Sequence, residues 1–413
     1  MKVSLFYELS LPRPWEPDSE FMLYENSLRE LELADSLGFH AVWLTEHHFQ
    51  EEKCHLSCPE VLLAALTQRT SRMRLGHGIA QIPPGINQPI RVAERVATLD
   101  LLSGGRIDFG YGESSSEAEL GGFHVDPGKK RAMVDEARDV AVSALADTPF
   151  PGYEGEFVIA PPRNVVPKPV QKPHPPLWLA CSRRETITRA AESAVGALAF
   201  QFVDPENASE VVEDYYTTLA TRAVPVGRAV NANISFVSFA VCARTTDEAI
   251  KRAEENVGFF TYGAKHYGVN GVHKPAVTSL WDGFVEAGRP GKIGASSSVG
   301  TPDDVRDVFL RFERAGVDQL SLIVHHGRLP HEAAMETIEL IGSKVLPDFL
   351  ERDEQASAEK EARLADVIKT VQARAPQPRA VDPDYTFSAP AKAWGGEQAS
   401  TEILEALRGL EGN

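Results

Sequence analysis

The chain has 413 residues, 43% of them hydrophobic, enough to bury a sizeable core as two or three domains or as one large barrel. Its 42 Lys and Arg face 59 Asp and Glu, a formal net charge of −17, which argues against nucleic-acid binding and gives no support for docking on an anionic membrane. Four cysteines make no disulfide scaffold, no stretch nears the ~20 apolar residues of a membrane span, and Glu8 breaks the apolar start, so no signal peptide is read and a reducing cytoplasm is expected.

In chain order the apolar runs are VSLFY (3–7), AVWLT (41–45), MRLGHGIAQI (73–82), RIDFGYG (106–112), PLWLA (176–180), ALAFQFV (197–203), ANISFVSFAVCA (232–243) and DQLSLIVHH (318–326). Helix-period stretches lie between and after them, at 24–37, 59–70, 89–102, 130–146, 184–193, 207–221, 247–257, 302–315 and 331–350. The runs are nearly continuous rather than alternating, as strands buried on both faces of a parallel sheet are. Eight strand–helix units in order predict an α/β fold, a closed (β/α)8 TIM barrel. Punctuation agrees. Gly38 and Gly316 stand where helices end, and Thr301-Pro302-Asp303-Asp304 offers a capping hydroxyl, a first-turn proline and two acids against the dipole.

Three segments depart from the alternation. Residues 147–175 are rich in Pro, Gly and aromatics, with room for a short hairpin; residues 258–300 hold GFFTYGAKHYGVNGVHKP and a helix-like piece around Trp281. Long loops in a barrel are usually functional or mobile, so both insertions are candidate lids. Residues 351–413 read as an extension outside a 1–350 barrel domain: a charged helix-like stretch to Arg374, a Pro-rich stretch, and a short amphipathic one around Ile403, Leu404 and Leu407.

The second run leads into Glu46-His47-His48. The C-terminal ends of barrel strands carry chemistry, and successive residues there point to opposite sides, so the two histidines are not expected to act as a pair. A structural cap, with these side chains bonded to nearby backbone, explains them as well. His47, His48, Cys54, His55 and Cys58 are zinc-type ligands, but three residues separate the two cysteines, no second pair follows and Pro59 opens a helix, so no metal is expected. Gly128-Lys129-Lys130-Arg131 puts a basic start on a helix in an acidic chain. Cys181-Ser182-Arg183-Arg184 joins a strand to a helix, where free amides and a hydroxyl suit an anion. Taken alone, an ordinary exposed helix start is the better account of the first, and simple capping by Ser182 explains the second equally well. GHG (76–78) and GYGES (110–114) lack the full dinucleotide fingerprint. His325 and His326 either line the barrel mouth or face water.

Together, GFHAVWLTEHHF (38–49), RLGHGIAQIP (74–83), QPIRVAERVATLDLLSGGRIDFGYG (88–112), GKKRAMVDEAR (128–138), PPLWLACS (175–182), VGTPDDV (299–305) and the 315–349 segment resemble the bacterial luciferase-like flavin monooxygenase family, in the family's order. The resemblance spans residues 1–350. It implies FMN at the C-terminal mouth of the barrel, with Glu46 against the flavin and His47 near its reactive face as the catalytic residue. It aligns Gly78-Ile79 with a non-proline cis peptide beneath the ring. It also aligns Leu179, Cys181 and Ser182 with flavin contacts, and Arg131 with a phosphate-binding arginine.

The resemblance further implies a two-component system. A separate NAD(P)H:flavin reductase supplies reduced FMN, which reacts with O2 to a flavin peroxide that oxygenates a small organic substrate; relatives suggest a homodimer through barrel helices. One departure stands out. Where luciferase has a reactive cysteine followed by arginine, this chain has Gly112-Glu113, so one phosphate partner is missing and light emission from an aldehyde is not expected. Two alternatives stay open: a deazaflavin-dependent hydride-transfer oxidoreductase on the same fold, and a non-catalytic flavin-binding protein.

Overall fold

Eight parallel strands close on themselves: β1 (Lys2–Tyr7), β2 (Ala41–Leu44), β3 (Arg74–His77), β4 (Ile107–Gly112), β5 (Leu177–Cys181), β6 (Gly196–Ala199), β7 (Ile234–Cys242) and β8 (Gln319–Ile323). Each pairs with the next, from Leu5↔Val42 round to Ser235↔Gln319, and Lys2↔Gln319 joins β8 back to β1. The fold is the expected (β/α)8 barrel. The computed structural model describes residues 1–387 and Thr401, in two compact units, Met1–Pro378 and Arg379–Asn413.

The outer helices are α1 (Ser19–Leu37), α2 (Pro59–Arg69), α3 (Pro89–Ser103), α4 (Lys130–Ala146), α5 (Arg184–Glu192), α6 (Pro205–Arg222), α7 (Pro302–Arg314) and α8 (His331–Leu340). Alternation along each strand splits the core into two layers. Val3, Leu5 and Tyr7 pack outward under the helices, while Phe6 points into the barrel with Trp43, Trp178, Val237 and Phe239. Trp43 and Trp178 meet edge to face at 5.1 Å. Neighbouring strands carry glycine where these indoles lie: a Cβ at Gly76 would overlap Trp43, and one at Gly196 would come 2.6 Å from Trp178 Cδ2. Each fully buried aromatic contributes about 2–3 kcal/mol of transfer free energy, so this interior is a packed plug and the chemistry is left to the rim.

Two expectations are corrected. Residues 147–175 are no lid. They join the end of α4 to the start of β5, so both their ends lie at the end of the barrel opposite the strand C-termini; the hairpin tip climbs α4, with Glu156 2.9 Å from Lys129 Nζ and the Phe157 N–H 2.9 Å from Glu136, yet no residue of the segment lines the cavity at the strand C-termini. Gln171 accordingly bonds Asp100 Oδ1 and the Ile107 carbonyl, each at 2.7 Å, beside the start of β4. The short hairpin is present, pairing Tyr153–Glu154 with Ile159–Ala160. The barrel unit also does not stop at 350. A helix from Leu346 to Gln372 buries Leu364 and Val371 in the main core, with Val367 and Ile368 packed against it. Its charged composition hid that narrow apolar stripe. Ile403, Leu404 and Leu407 lie outside the described residues. No helix among the described residues is long and apolar enough to cross a membrane.

Candidate active site

The loops after the strands enclose a cavity of about 260 Å³. Glu46, His47, Gly78, Ile79, Leu179, Cys181 and Ser182, all singled out in the sequence, line it. Arg131 does not: its guanidinium is half-exposed and pairs with Glu185 at 3.1 Å.

His47 is bracketed by two acids. Its Nδ1 lies 2.9 Å from Glu119 Oε1 and its Nε2 3.8 Å from Glu8 Oε1. Burial alone would raise the Glu119 carboxyl, but the hydrogen bond and charge of His47, the Ser114 hydroxyl and the His48 amide outweigh it and hold it at about 2. An ionised Glu119 only accepts, so the proton sits on His47 Nδ1 and leaves Nε2 as the nitrogen that exchanges one. Glu8 is likewise held below the usual carboxylate range: burial opposes this, and Lys53, His47 and His326 overcome it.

Glu46 is an organiser. Its Oε2 accepts the Gln81 amide N–H at 2.9 Å; its Oε1 accepts Asn87 Nδ2 at 2.8 Å and lies 3.0 Å from His48 Nε2. His47 and His48 thus serve different acids, as their opposite directions anticipated. The Gly78–Ile79 peptide is cis. Gln81 spends its NH2 group on the Glu46 carbonyl at 2.7 Å and Glu119 Oε1 at 2.9 Å. That fixes its orientation and leaves its buried Oε1, in the cavity wall, without a hydrogen-bond partner among the described residues.

The loops after β4 and β5 supply a polar end: Ser114, Ser116, Lys130, Ser182, Arg183 and Arg189. Lys130 stands where an Arg131 role was expected, with Nζ 2.6 Å from the Ser114 carbonyl and 3.6 Å from Glu113. At the start of α5, the Gln201 amide oxygen, once that amide is turned, accepts the Arg183 and Arg184 N–H groups at 2.9 and 3.1 Å. These are the donors a phosphate oxygen would take. Burial pushes the Cys181 thiol up to about 12, so it stays a neutral contact surface. The opposite end is aromatic, with Phe6 from β1, Phe200 after β6, and Phe260 and Tyr267 from the 258–300 insertion. His325 and His326 do neither thing expected of them. His325 bonds the buried Glu30, and His326 sits behind Phe260, its pKa brought down by burial to about 3.

These residues fit FMN. Gln81 Oε1 is an orphaned acceptor suited to an imide N–H like that of an isoalloxazine. The α5 amides with Ser182, Lys130 and Arg183 suit its phosphate.

Glu119, Gln81, Glu8 and Lys53 were missed as site residues. The signals were present but ambiguous. Ser116-x-x-Glu119 reads as a capping box, and Glu8 follows β1 as Glu46 follows β2.

The cavity opens at the C-terminal mouth of a (β/α)8 barrel, and the chain belongs to the luciferase-like monooxygenase family, whose model matches residues 11–319. Among curated relatives, the oxygenase component of the flavin-dependent trigonelline monooxygenase of Acinetobacter baylyi is 23% identical over 85% of this chain and 96% of that one. Limonene 1,2-monooxygenase of Rhodococcus erythropolis is 26% identical over 81% and 84%. The crystal structure of monooxygenase RslO1 of Streptomyces bottropensis superposes with a TM-score of 0.68 at 25% identity, covering 84% of this chain and all of that one. The F420-dependent tetrahydromethanopterin reductase of Methanopyrus kandleri shares the fold at a TM-score of 0.61 and 20% identity, covering 84% of this chain and 100% of that one.

Proposed function

We propose that this chain is the oxygenase component of a two-component FMN monooxygenase that inserts one oxygen atom into a small organic substrate. Reduced FMN would come from a separate NAD(P)H:flavin reductase. The observation that carries the reading is His47, with Nδ1 fixed by Glu119 and Nε2 left to exchange a proton, in the same cavity wall as Gly78, Ile79 and the free acceptor of Gln81.

When bound here, reduced FMN would supply the electrons for chemistry with O2. Gln81 and Leu179 hold the ring and Glu46 fixes Gln81. Ser182, Lys130 and Arg183 hold the phosphate. His47 moves a proton at Nε2, and Glu119 keeps its tautomer. Phe200, Phe260 and Tyr267 keep water from the reacting atoms. The family relative described as an oxygenase component supports the separate reductase. A cytoplasmic homodimer completes the reading.

The polar end would equally take the phosphate of a deazaflavin, and a fold relative uses F420, so hydride transfer is the second reading. One experiment separates them. Turnover with reduced FMN and O2, and none with reduced F420 under nitrogen, supports the monooxygenase; the reverse pattern sinks it. FMN binding with neither activity leaves a binding protein.

A further inference from the structure

Lys53 is an unusual residue for an aromatic cavity wall. It is only 6% exposed, its ammonium lies 5.6 Å from the centre of the Phe260 ring, and its stem runs over Gly263, where a Cβ would sit 3.6 Å from Lys53 Cγ. A buried cation is costly unless matched. Glu8, itself 3% exposed, matches it with Oε2 at 3.1 Å from Nζ. The pair is neutral as a unit. Glu8 takes one of three N–H bonds on the ammonium. Next to it Gln50, also 3% exposed and in the cavity wall, has an Oε1 without a partner among the described residues. Its Nε2 lies 3.2 Å from His47 Nδ1, which already spends its proton on Glu119 and has no lone pair to offer, so it is the Gln50 Nε2–H groups, and not Oε1, that are left to donate to a ligand oxygen.

We propose that Lys53, braced by Glu8, and Gln50 form a carbonyl-orienting subsite, and that the substrate is an uncharged, ring-bearing ketone or related carbonyl compound. The catalytic meaning of this subsite rests on the monooxygenase reading; the binding does not. Two observations select the class. Phe6 and Phe200 meet at 5.3 Å and Phe200 and Phe260 at 5.9 Å, a set of ring faces on the same side of the cavity as Lys53. The second is charge. Glu8, Glu46, Glu113 and Glu119 line the cavity; Lys130, Arg183 and Arg189 stand at its polar end, away from the Phe260 wall, and the charge on Lys53 is already used by Glu8. A carboxylate would add an unmatched negative charge, whereas a carbonyl oxygen accepts the ammonium N–H and adds none. A hydrocarbon would desolvate the ammonium and the Gln50 amide without replacing their hydrogen bonds.

The test uses the full chain and calorimetry with three probes on one ring system: 1-tetralone, tetralin and 1,2,3,4-tetrahydro-1-naphthoate, each with and without FMN. The ketone should bind about tenfold or more tightly than either of the others. A Lys53→Met, Glu8→Gln double variant removes both charges and leaves neither buried alone. It should bring the ketone-to-hydrocarbon ratio below about threefold while tetralin binds as before. Equal binding of ketone and hydrocarbon, preference for the carboxylate, no measurable ketone binding, or an unchanged ratio in the double variant overturns the proposal. A separate FMN titration keeps the two readings apart: ketone preference without FMN affinity retains the subsite and removes the cofactor.

Discussion

Glu119 Oε1 lies 2.9 Å from His47 Nδ1 and, at 3.0 Å, accepts the backbone N–H of His48. One buried oxygen therefore sets both the tautomer of the His47 imidazole and the path of the chain that carries it. Glu119→Gln keeps the shape and removes the charge. We expect kcat/KM to fall roughly 10²–10³-fold, with FMN affinity within about twofold of wild type. Because the two residues act as a unit, adding Glu119→Gln to His47→Ala should cost little more than His47→Ala alone. Additive losses in steady-state kinetics would separate their roles.

The polar end makes a prediction about cofactor choice. FMN and riboflavin differ only in the phosphate. Lys130→Ala and Arg183→Ala should each weaken FMN about tenfold, more at low salt, and leave riboflavin unchanged. Arg131→Ala, its side chain tied to Glu185, should shift FMN affinity by less than about twofold, as exposed ion pairs usually do. Fluorescence titration decides; a loss in Arg131→Ala as large as that in Lys130→Ala would restore the phosphate role expected of Arg131.

Between the barrel and its outer helices, Glu30 is fully buried and gathers the Tyr7 hydroxyl at 2.7 Å, His325 Nδ1 at 3.0 Å and His331 Nδ1 at 2.7 Å. Burial would raise its pKa, but the charge of His325 and the hydrogen bonds from His325, His331 and Tyr7 bring it from 4.5 to about 2. That contribution to stability is present above 4.5 and is lost as pH falls toward 2. His325 is shifted the other way: burial would lower it, and Glu30 raises it above 6.5. Its contribution is full below 6.5 and is lost as pH rises through the raised value. Glu30→Gln should therefore cost about 2–4 kcal/mol, most between pH 4.5 and 6.5 and less on either side. Melting curves of both proteins across pH test this; a parallel offset at every pH would show that the cluster does not titrate as described.

The barrel was legible because strands buried on both faces leave continuous apolar runs; each of β1 to β8 coincides with one of the eight runs, with β1, β5 and β6 overhanging theirs by one residue. Glu46 and His47 stood out because an acid and an imidazole end an apolar run at the rim of the barrel, and both do line the cavity there. Arg131 was not, for a geometric reason. Adjacent helical residues point about 100° apart, so a basic pair at a helix start does not say which member faces a cavity. Glu119 sits on Glu117–Gly122, a helix too short to show a periodicity. Lys53 looked like one more charge in Glu51-Glu52-Lys53; only Glu8, from another strand, makes it a wall of the site. The 147–175 excursion has a lid-like composition, whereas the anchoring of both its ends at the far end of the barrel follows from what it connects.

Glu52 yields the last prediction, about the one insertion that does reach the cavity. Its carboxylate is fully buried and accepts the N–H groups of Leu280 at 2.6 Å, Trp281 at 3.0 Å and Arg13 at 2.9 Å. It therefore ties the loop after β2 to the Leu280–Glu286 helix, whose Trp281 and Phe284 pack on Phe259, next to Phe260 of the cavity wall. Glu52→Ala strands three donors and should loosen the 258–300 segment ahead of the barrel, because the barrel's own strands do not depend on these bonds. Limited proteolysis should then cut within 258–300 about tenfold faster, with barrel fragments persisting and the ketone probe bound more weakly. If the segment is cut no faster, or only once the whole chain melts, then Glu52 serves global stability and the wall of the cavity is held by its aromatic packing alone.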